Sequence, residues 1–418
     1  MDEIEKGDEV KVIKGKNSHQ GIVMPHHRFS KDNILTLKLE SGYNIGIEID
    51  DDCEIKLIQK AEKKSLEKKR KTELEIDKNK PKISILGTGG TIASYVEYKT
   101  GAVHPAQDEN DVLYSNPKIA DRCNPDVEIL FSKLSEDISP KDWIKLADKV
   151  IKKLEDEEAE GVVISHGTDT LGYTSAALSF LLEGLSKPVV LVGSQRSSDR
   201  PSSDAYLNLL GAIEMAKSGI GGVFVVMHET ISDKKCAVHK GTKVRKMHTS
   251  RRDAFKSINT DPIGYINPKT KKVNIENRPK QKKKKSLRRR GNMVENVSLL
   301  YVNPSIDEST LESVKDKDGI VIAGTGLGHI KSDLIPHIQE LIQDGIPIVI
   351  TSQCIYGTVN NHVYSSGRKL LEAGVLSGHD MLPETALVKL MWALSLEEDT
   401  EKIMRKNIAG EINDRREV

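Results

Sequence analysis

Residues 82–94 read KISILGTGGTIAS and join a short apolar strand to a turn of small residues. Isoleucine and leucine fill the strand, three glycines interrupt the turn, and a helix-like stretch follows. This pattern is typical of a buried parallel strand that opens a βα unit. Because ligands of open α/β sheets bind outside the carboxyl ends of the strands, the hydroxyls of Thr88 and Thr91 are candidate functional groups.

Two familiar glycine motifs do not fit this turn. A dinucleotide fingerprint requires a third glycine where Ile92 stands, and a phosphate-binding P-loop requires a lysine that does not follow these glycines. A tight strand-to-helix turn with structural threonines remains an open alternative.

Length and composition indicate a protein of several domains without a strong charge bias. The chain has 418 residues, too many for one ordinary core, and a net charge of +1 gives no overall attraction to nucleic acid. Its four cysteines are far apart, which favours a reducing compartment and no metal site. With an acidic N-terminus and no long apolar run, we expect a cytoplasmic protein that does not enter a membrane.

The N-terminal part predicts a small all-β domain. Short runs with alternating apolar residues predict strands at 9–14, 20–25, 34–40 and 44–49, so residues 1–58 are expected to form a small β-barrel. Residues 59–80 are almost free of apolar side chains and predict a charged linker. A barrel of this size binds RNA or peptides, or serves only as a spacer.

From residue 81 to residue 266, apolar strands alternate with helical stretches at 144–155, 171–185 and 203–217. This alternation predicts an α/β domain with a parallel sheet and helices on both faces. Further βα strands, with helices at 331–343, 367–373 and 383–394, predict a second, smaller α/β domain over residues 297–418.

The two α/β domains are separated by a predicted linker at 267–296 that contains a basic run. The run consists of Lys280, Lys282 to Lys285 and Arg288 to Arg290. Such a cluster indicates either a phosphate-binding patch for RNA or a solvated insertion, and no aromatic residues are interleaved to stack bases.

A second polar turn follows another buried strand. Residues 161–171 read GVVISHGTDTL, so His166, Thr168 and Asp169 come directly after an apolar run. Because parallel strands end at the same edge, this turn is expected to face the GTGGT turn. Taken alone, Thr168 and Asp169 would also suit the N-terminal cap of a helix.

Together these motifs resemble those of a known protein family. From about residue 83 to its C-terminal helices it resembles the L-asparaginase/glutaminase family. The matching motifs are GTGGTIAS, HGTDT, VGSQR with DRPSSDAYLNL, Ser135-Glu136-Asp137, Lys246 ahead of FKS, PIGY and AGTG. The resemblance implies an α/β fold, in which a two-domain asparaginase-like parallel-sheet core follows the small all-β barrel.

The resemblance also implies catalytic roles. It makes Thr91 the nucleophile and Thr168, Asp169 and Lys246 the second threonine, the acid and the lysine of the catalytic set. A threonine hydroxyl needs a neighbouring base, and a desolvated lysine can accept its proton. Lys246 alone would pass for a surface lysine, and Lys240 and Lys243 are rivals; its distance to FKS favours Lys246.

Substrate-binding residues are implied in the same way. Asp169 would pair with the substrate ammonium, while Ser135 and Glu136 would hold its α-carboxylate and amine side. Gly90 belongs to the turn whose backbone amides would hold the oxyanion, and Tyr98 would be the loop tyrosine that covers the nucleophile. No metal is implied.

The extra barrel, charged linker and LMWAL…IAGEI ending resemble the glutaminase component of archaeal tRNA-dependent amidotransferases. This resemblance implies hydrolysis of L-glutamine and transfer of ammonia to a partner protein, in a heterodimer or heterotetramer. That partner would use ATP and magnesium to convert Glu-tRNA(Gln) to Gln-tRNA(Gln), whereas this chain would need no cofactor. A homodimer through the asparaginase-like core is also expected.

Two other readings remain. The chain would be a free-standing L-asparaginase if the extra domain is only a spacer. It would be an RNA-docking scaffold if catalysis has been lost, although the complete catalytic set argues against this.

Overall fold

The computed structural model of the chain describes residues 4–24, 31, 33–39, 44–60, 77–89, 95–96, 103–104, 119–196, 203–279 and 286–413. Within these ranges, none of the helices has the length and hydrophobicity that crossing a lipid bilayer requires. An N-terminal all-β unit is followed by two α/β units.

The N-terminal unit is a five-stranded antiparallel sheet. Its strands are β1 (Glu9–Lys14), β2 (Asn17–Val23), β3 (Ile34–Leu39), β4 (Asn44–Glu48) and β5 (Cys53–Gln59). Their order is β4-β3-β2-β1-β5, so among the described strands β4 and β5 are the edges, and a closed barrel would need these two to pair. Val10, Val12 and Leu37 are almost fully buried at its centre. β5 was not predicted, although charged and apolar residues alternate along it as in a half-exposed strand.

Strands and helices alternate from residue 82 to residue 275. In chain order they are β6 (Lys82–Gly89), β7 (Tyr95–Val96), β8 (Val103–His104), β9 (Asn124–Lys133), α1 (Pro140–Glu155), β10 (Gly161–Ser165), α2 (Leu171–Leu181), β11 (Leu182–Glu183), β12 (Pro188–Val192), α3 (Ala205–Ala216), β13 (Gly222–His228), β14 (Cys236–Lys240), β15 (Val244–Lys246), β16 (Phe255–Ser257), β17 (Gly264–Asn267) and β18 (Lys272–Ile275). Eight of these strands form one sheet in the order β18-β17-β14-β13-β12-β10-β6-β9.

The parallel centre of this sheet consists of β9, β6, β10, β12 and β13. Successive residues of β10 point to opposite faces, as the two-residue period of a strand requires. Val162 and Ile164 join a core with α1 and α2, whereas Val163 joins a core with α3. The predicted parallel strands with helices on both faces are thereby confirmed.

The outer part of the sheet differs from the prediction. β14, β17 and β18 are antiparallel, so the sheet is mixed rather than purely parallel. β13 and β14 are joined by the short segment 229–235, and a parallel connection would need a longer crossover. β18 also lies within residues 267–296, the range in which the sequence predicts a linker.

The second α/β unit is smaller. The short strand β19 (Arg288–Arg289) precedes this unit in the chain. The elements of the unit are, in chain order, β20 (Val297–Tyr301), α4 (Glu308–Glu312), β21 (Gly319–Gly324), α5 (Ile335–Gln343), β22 (Ile348–Ser352), α6 (Ser365–Glu372), β23 (Leu376–Ser377), α7 (Pro383–Ala393) and α8 (Thr400–Arg405). β20, β21, β22 and β23 form a parallel sheet in that order. β11 pairs with β19, which explains why α2 ends at Leu181 rather than at residue 185.

The two α/β units share one hydrophobic core. α2 packs against α7, and the rings of Phe180 and Trp392 stack with their centroids 5.5 Å apart. The Trp392 indole N–H also donates to the Arg290 carbonyl at 2.7 Å. The same apolar cluster contains residues of both parallel sheets, so the second unit is packed onto the helical face of the first.

Candidate active site

The strands that lead to the two polar turns end side by side at the carboxyl edge of the large sheet. β6 and β10 are parallel neighbours, with Gly87 opposite Ser165. The Thr88 hydroxyl, which is fully buried, donates to the Ser165 carbonyl at 2.9 Å. Thr88 therefore has a structural role, joining the strand that leads to Thr91 to the strand that leads to Thr168.

Gly89 is the last described residue of the first turn. Its φ of +109° lies in the region that favours glycine, and a Cβ there would overlap the Lys133 carbonyl oxygen. Only glycine fits between β6 and β9 at this point. Gly90, Thr91 and Tyr98, to which the sequence assigns oxyanion, nucleophile and covering roles, lie outside the described residues.

Lys246 meets the second turn. Its Nζ donates to Thr168 Oγ1 at 2.8 Å and to Asp169 Oδ1 at 2.8 Å. The Lys246 side chain is 15% exposed and Thr168 is buried, whereas the Asp169 side chain is 68% exposed. An ammonium shielded from water thus contacts a hydroxyl, while the neighbouring carboxylate is open to solvent.

The rival lysines of the same region have other partners. Lys243 is fully buried and forms an ion pair with Asp380 of the second α/β unit. Lys240 Nζ reaches the Gly410 carbonyl at 3.5 Å. Of these three lysines, the structure brings Lys246 to Thr168 and Asp169.

His166 supports the peptide that precedes Thr168. Its Nδ1–H donates to the Gly167 carbonyl at 2.7 Å, and its Nε2 lies 2.8 Å from the Thr174 hydroxyl. That hydroxyl accepts the Trp143 indole N–H at 2.9 Å, so its own proton is free for Nε2. Burial lowers the pKa of His166 to about 4, which keeps the ring neutral. The Gly167 carbonyl can only accept, so the hydrogen of the neutral ring is on Nδ1.

Ser135 and Glu136 lie beside the second turn, in a short 3₁₀ helix at Ser135–Asp137. Thr170 donates its hydroxyl proton to the Ser135 carbonyl at 2.6 Å. Gly167 allows a close approach, because a Cβ there would come within 2.6 Å of Ser135 Cβ. The structure thus brings Ser135, Thr168, Asp169 and Lys246 to one edge of the sheet.

A cavity opens next to these groups. It has a volume of about 260 Å³ and is lined by Asp169, Lys246, Met247, His248 and Thr249. A larger cavity of about 500 Å³ lies between α3 and β18 and shares none of these residues. The smaller cavity is the better candidate for a reaction site because it contains the lysine and the carboxylate described above.

The described ranges contain no group of three or more His, Cys, Asp or Glu side chains arranged to hold a metal ion. The functional groups that converge at this edge are hydroxyls, a carboxylate and an ammonium. Such a set suits proton transfer and the binding of a charged small molecule.

The sequence analysis assigned no role to several buried polar residues behind Thr168. Asp204, Asn208 and His228 are at most 1% exposed and are hydrogen-bonded to one another or to the turn after β12. A sequence signal exists, because Asn208 and Glu214 are the two strongly polar residues of a helix that is otherwise largely apolar.

The described part of the basic run is engaged within the chain. Arg288, Arg289 and Arg290 form ion pairs with Glu183, Asp148 and Glu398, respectively. Lys280 and Lys282 to Lys285 lie outside the described residues. The three arginines therefore hold β19 in place rather than forming an open phosphate-binding surface.

Comparisons with known proteins agree along the whole chain. Residues 82–281 match the family "Asparaginase, N-terminal", residues 296–406 match the "Glutaminase/Asparaginase C-terminal domain", and residues 4–58 match the "GatD N-terminal domain".

Among solved structures, the thermostable L-asparaginase from Thermococcus kodakarensis is 35% identical. It superposes with a TM-score of 0.71 and covers 80% of this chain and 100% of its own. A probable cytoplasmic L-asparaginase from Campylobacter jejuni is 29% identical, with a TM-score of 0.65 over 78% of this chain and 98% of its own.

Curated relatives match over nearly the full length. The D subunit of glutamyl-tRNA(Gln) amidotransferase from Pyrococcus furiosus is 50% identical over 98% of this chain and 95% of its own. That of Saccharolobus islandicus is 48% identical over 99% of this chain and 94% of its own. Because similarity of this extent includes the N-terminal unit as well as the asparaginase-like core, the chain belongs to the family of glutamyl-tRNA(Gln) amidotransferase D subunits.

Proposed function

We propose that this chain is the glutaminase component of a tRNA-dependent amidotransferase. It hydrolyses L-glutamine through an acyl intermediate on Thr91 and supplies the ammonia to a partner protein. The observation that supports this most directly is the contact of Lys246 Nζ with Thr168 and Asp169 at the carboxyl edge of the sheet.

In the proposed reaction, the Thr91 hydroxyl attacks the side-chain amide carbon of glutamine. Its proton passes to the set formed by Thr168, Asp169 and Lys246, and the carbonyl oxygen becomes an oxyanion held by backbone amides of the two turns. The proton returns to the leaving nitrogen, so ammonia departs and a glutamyl ester remains on Thr91. Water then cleaves the ester, which releases glutamate and restores the hydroxyl.

Geometry explains the choice of residues. Lys246 Nζ lies 2.8 Å from both Thr168 Oγ1 and Asp169 Oδ1, and the Lys246 side chain is largely shielded from water. The proton of the nucleophile can therefore be passed along contacts that already exist between these three side chains. The exposed side of Asp169 is free to bind the ammonium of the substrate, with Ser135 and Glu136 holding the rest of its amino-acid group.

The partner in this proposal is the E subunit of the amidotransferase, in a heterodimer or heterotetramer. The E subunit would use ATP and magnesium to activate the glutamate of Glu-tRNA(Gln), and this chain would bind neither. A homodimer through the asparaginase-like core belongs to the same proposal.

A free-standing L-asparaginase is the second candidate. The observation that favours it is the 35% identity to an archaeal L-asparaginase that aligns over the whole of its own chain. That similarity covers 80% of this chain, whereas the amidotransferase relative matches 98% of it and residues 4–58 match the "GatD N-terminal domain".

One experiment separates the two candidates. Ammonia release is measured from glutamine and from asparagine, first with the purified chain and then with the E subunit and Glu-tRNA(Gln), with Thr91→Ala as the control. The proposal expects weak glutamine hydrolysis by the isolated chain, a rise in the complex and loss in Thr91→Ala. If the isolated chain hydrolyses asparagine as fast as glutamine and the partner does not change the rate, the chain is instead a free-standing L-asparaginase.

A further inference from the structure

Behind Thr168 lies a buried polar network that the proposed chemistry does not use. Its centre is Asn208 on α3, which is flanked by Asp204 at the start of the same helix and by His228 at the end of β13. Buried polar groups are costly unless they are hydrogen-bonded, so a network of this kind needs a reason.

One end of the network holds the turn that follows β12. The Asp204 carboxylate accepts the backbone N–H of Gln195 at 3.1 Å and of Arg196 at 3.0 Å. Asn208 Nδ2 donates to the Gly193 carbonyl at 3.0 Å and to Asp204 at 2.9 Å. The turn at 193–196 is therefore tied to the beginning of α3 at three backbone groups.

This turn packs directly against Thr168. A Cβ on Gly193 would lie 2.7 Å from Thr168 Cγ2 and 2.9 Å from the His166 carbonyl oxygen. There is no room for the turn to approach further, and Thr168 loses its support if the turn recedes. The position of Gly193 thus limits where the Thr168 hydroxyl can lie relative to Lys246.

His228 completes the network from the other side. Because Asn208 Nδ2 faces two acceptors, Asn208 Oδ1 must face His228, whose Nδ1–H donates to it at 2.6 Å. The hydrogen of the neutral ring is therefore on Nδ1. Burial lowers the pKa of His228 despite the nearby carboxylates of Asp204 and Asp233, which favours this neutral form.

The other ring nitrogen of His228 makes no hydrogen bond with any residue that the structure describes. With the hydrogen on Nδ1, Nε2 can only accept, and Asp233 Oδ1, which lies 3.5 Å away, is also an acceptor. That carboxylate pairs instead with Arg252 at 2.6 Å. The network therefore acts on the site from one side, through Asn208 and the turn at Gly193.

We propose that His228 is a positioning residue for this site. Its Nδ1–H holds Asn208 so that the turn at Gly193 supports Thr168 within hydrogen-bond reach of Lys246. This role rests on the proposed function, since it matters only if Thr168 and Lys246 move the proton of the nucleophile.

The test uses two substitutions of one residue. In His228→Asn, the amide nitrogen can occupy the place of Nδ1 and donate to Asn208, whereas His228→Leu removes this donor and leaves Asn208 Oδ1 with only the long contact from Cys236 Sγ at 3.7 Å. We expect kcat for glutamine hydrolysis to fall about 10²-fold in His228→Leu with KM little changed, because a small misplacement of a catalytic group has an effect of this size. His228→Asn should keep kcat close to that of the original chain.

Gly193→Ala provides an independent variant. It leaves the network intact but adds a methyl group against Thr168, and it should lower kcat in the same way. Lys153→Met is the control for lost stability, because Lys153 is buried among Asp126, Glu128 and Glu157 at the opposite edge of the sheet. It should lower the melting temperature and leave kcat unchanged.

The outcomes can be distinguished. If the original chain releases no ammonia from glutamine or asparagine, alone or in the complex, the proposed function fails. If it does and His228→Asn is as impaired as His228→Leu, or if His228→Leu or Gly193→Ala keeps full kcat, the positioning role is wrong. If His228→Leu does not fold, His228→Gln takes its place, because its amide lies further along the side chain and cannot donate from the position of Nδ1; full kcat in this variant would overturn the positioning role.

Discussion

Lys243 and Asp380 form a buried ion pair that joins the two α/β units. Lys243 lies three residues before Lys246 in the chain. The Lys243 side chain is fully buried, and the Asp380 carboxylate also accepts the backbone N–H of Asn413 at 3.1 Å. The hairpin that carries Lys246 is therefore anchored to the second α/β unit.

Breaking this pair from one side should destabilise the protein strongly. Lys243→Met leaves the Asp380 carboxylate buried without its ammonium, and we expect the free energy of unfolding to fall by about 3–5 kcal/mol. Urea denaturation followed by circular dichroism measures the change. The double variant Lys243→Met/Asp380→Leu should recover much of the loss, since apolar residues can replace a buried ion pair; equal destabilisation of both variants would contradict this account.

Lys246 should behave in the opposite way. Lys246→Met removes a pair whose carboxylate is mostly exposed, so the free energy of unfolding should change by less than about 1 kcal/mol. Ammonia release from glutamine should fall by about 10²-fold or more, because the proton acceptor is lost. Lys240→Met is the matched control and should keep most of the activity. Full activity in Lys246→Met would show that another group accepts the proton.

Buried histidines should make stability depend on pH. The pKa of His166 is lowered by burial to about 4, whereas a histidine of the unfolded chain titrates near its usual value of about 6.5. Between these two pH values the unfolded state binds more protons, so the stabilisation is complete above about pH 6.5 and is lost as the pH falls toward 4. For His166 alone this loss amounts to roughly 3 kcal/mol.

The substitution His166→Asn isolates this contribution. Asparagine can still donate to the Gly167 carbonyl, but it does not titrate. Thermal or urea unfolding between pH 8 and pH 4 should therefore show a shallower decline for the variant than for the original chain. Parallel declines would mean that His166 does not contribute. Burial lowers the pKa of His239 to about 3, so His239 contributes equally to the pH dependence of stability in both proteins.

The basic run should separate into two parts with different roles. Replacing Lys280 and Lys282 to Lys285 by serine should weaken tRNA binding at low salt and reduce its salt dependence, because fewer counterions are released. Arg290→Leu should instead lower the melting temperature, since Arg290 pairs with Glu398 and lies over the Trp392 ring. Unchanged tRNA affinity of the lysine variant at low and moderate salt would remove these lysines from the RNA-binding surface.

The sequence was most informative where a strand ends in a polar turn. β6 and β10 were predicted from continuous apolar runs, and parallel pairing then required the GTGGT and HGTDT turns to lie together. Lys246 was preferred to Lys240 and Lys243 from its distance to FKS, and the structure places it at Thr168. The mixed sheet was not foreseen, although β18 alternates polar and apolar residues as a half-exposed antiparallel strand does. Its four residues are too few to establish the pattern from the sequence alone.

The burial of two lysines and a histidine was beyond prediction for a different reason. Lysine and histidine are normally exposed or half-exposed, so nothing in the sequence marks Lys243, Lys389 or His228 as fully buried. Their partners, Asp380, Glu411 and Asn208, are distant in the chain or on other elements. Such pairs become visible only when the packing of the elements is known.

The stacking of Phe180 on Trp392 has a consequence for dissecting this protein. Because residues of both α/β units form the core that contains these rings, neither unit has a complete hydrophobic core of its own. A fragment that ends before residue 297 would retain every proposed catalytic residue yet expose the face of α2 to water. The first α/β unit is therefore not expected to fold without the second. A chain truncated at this boundary should aggregate and should have no glutaminase activity.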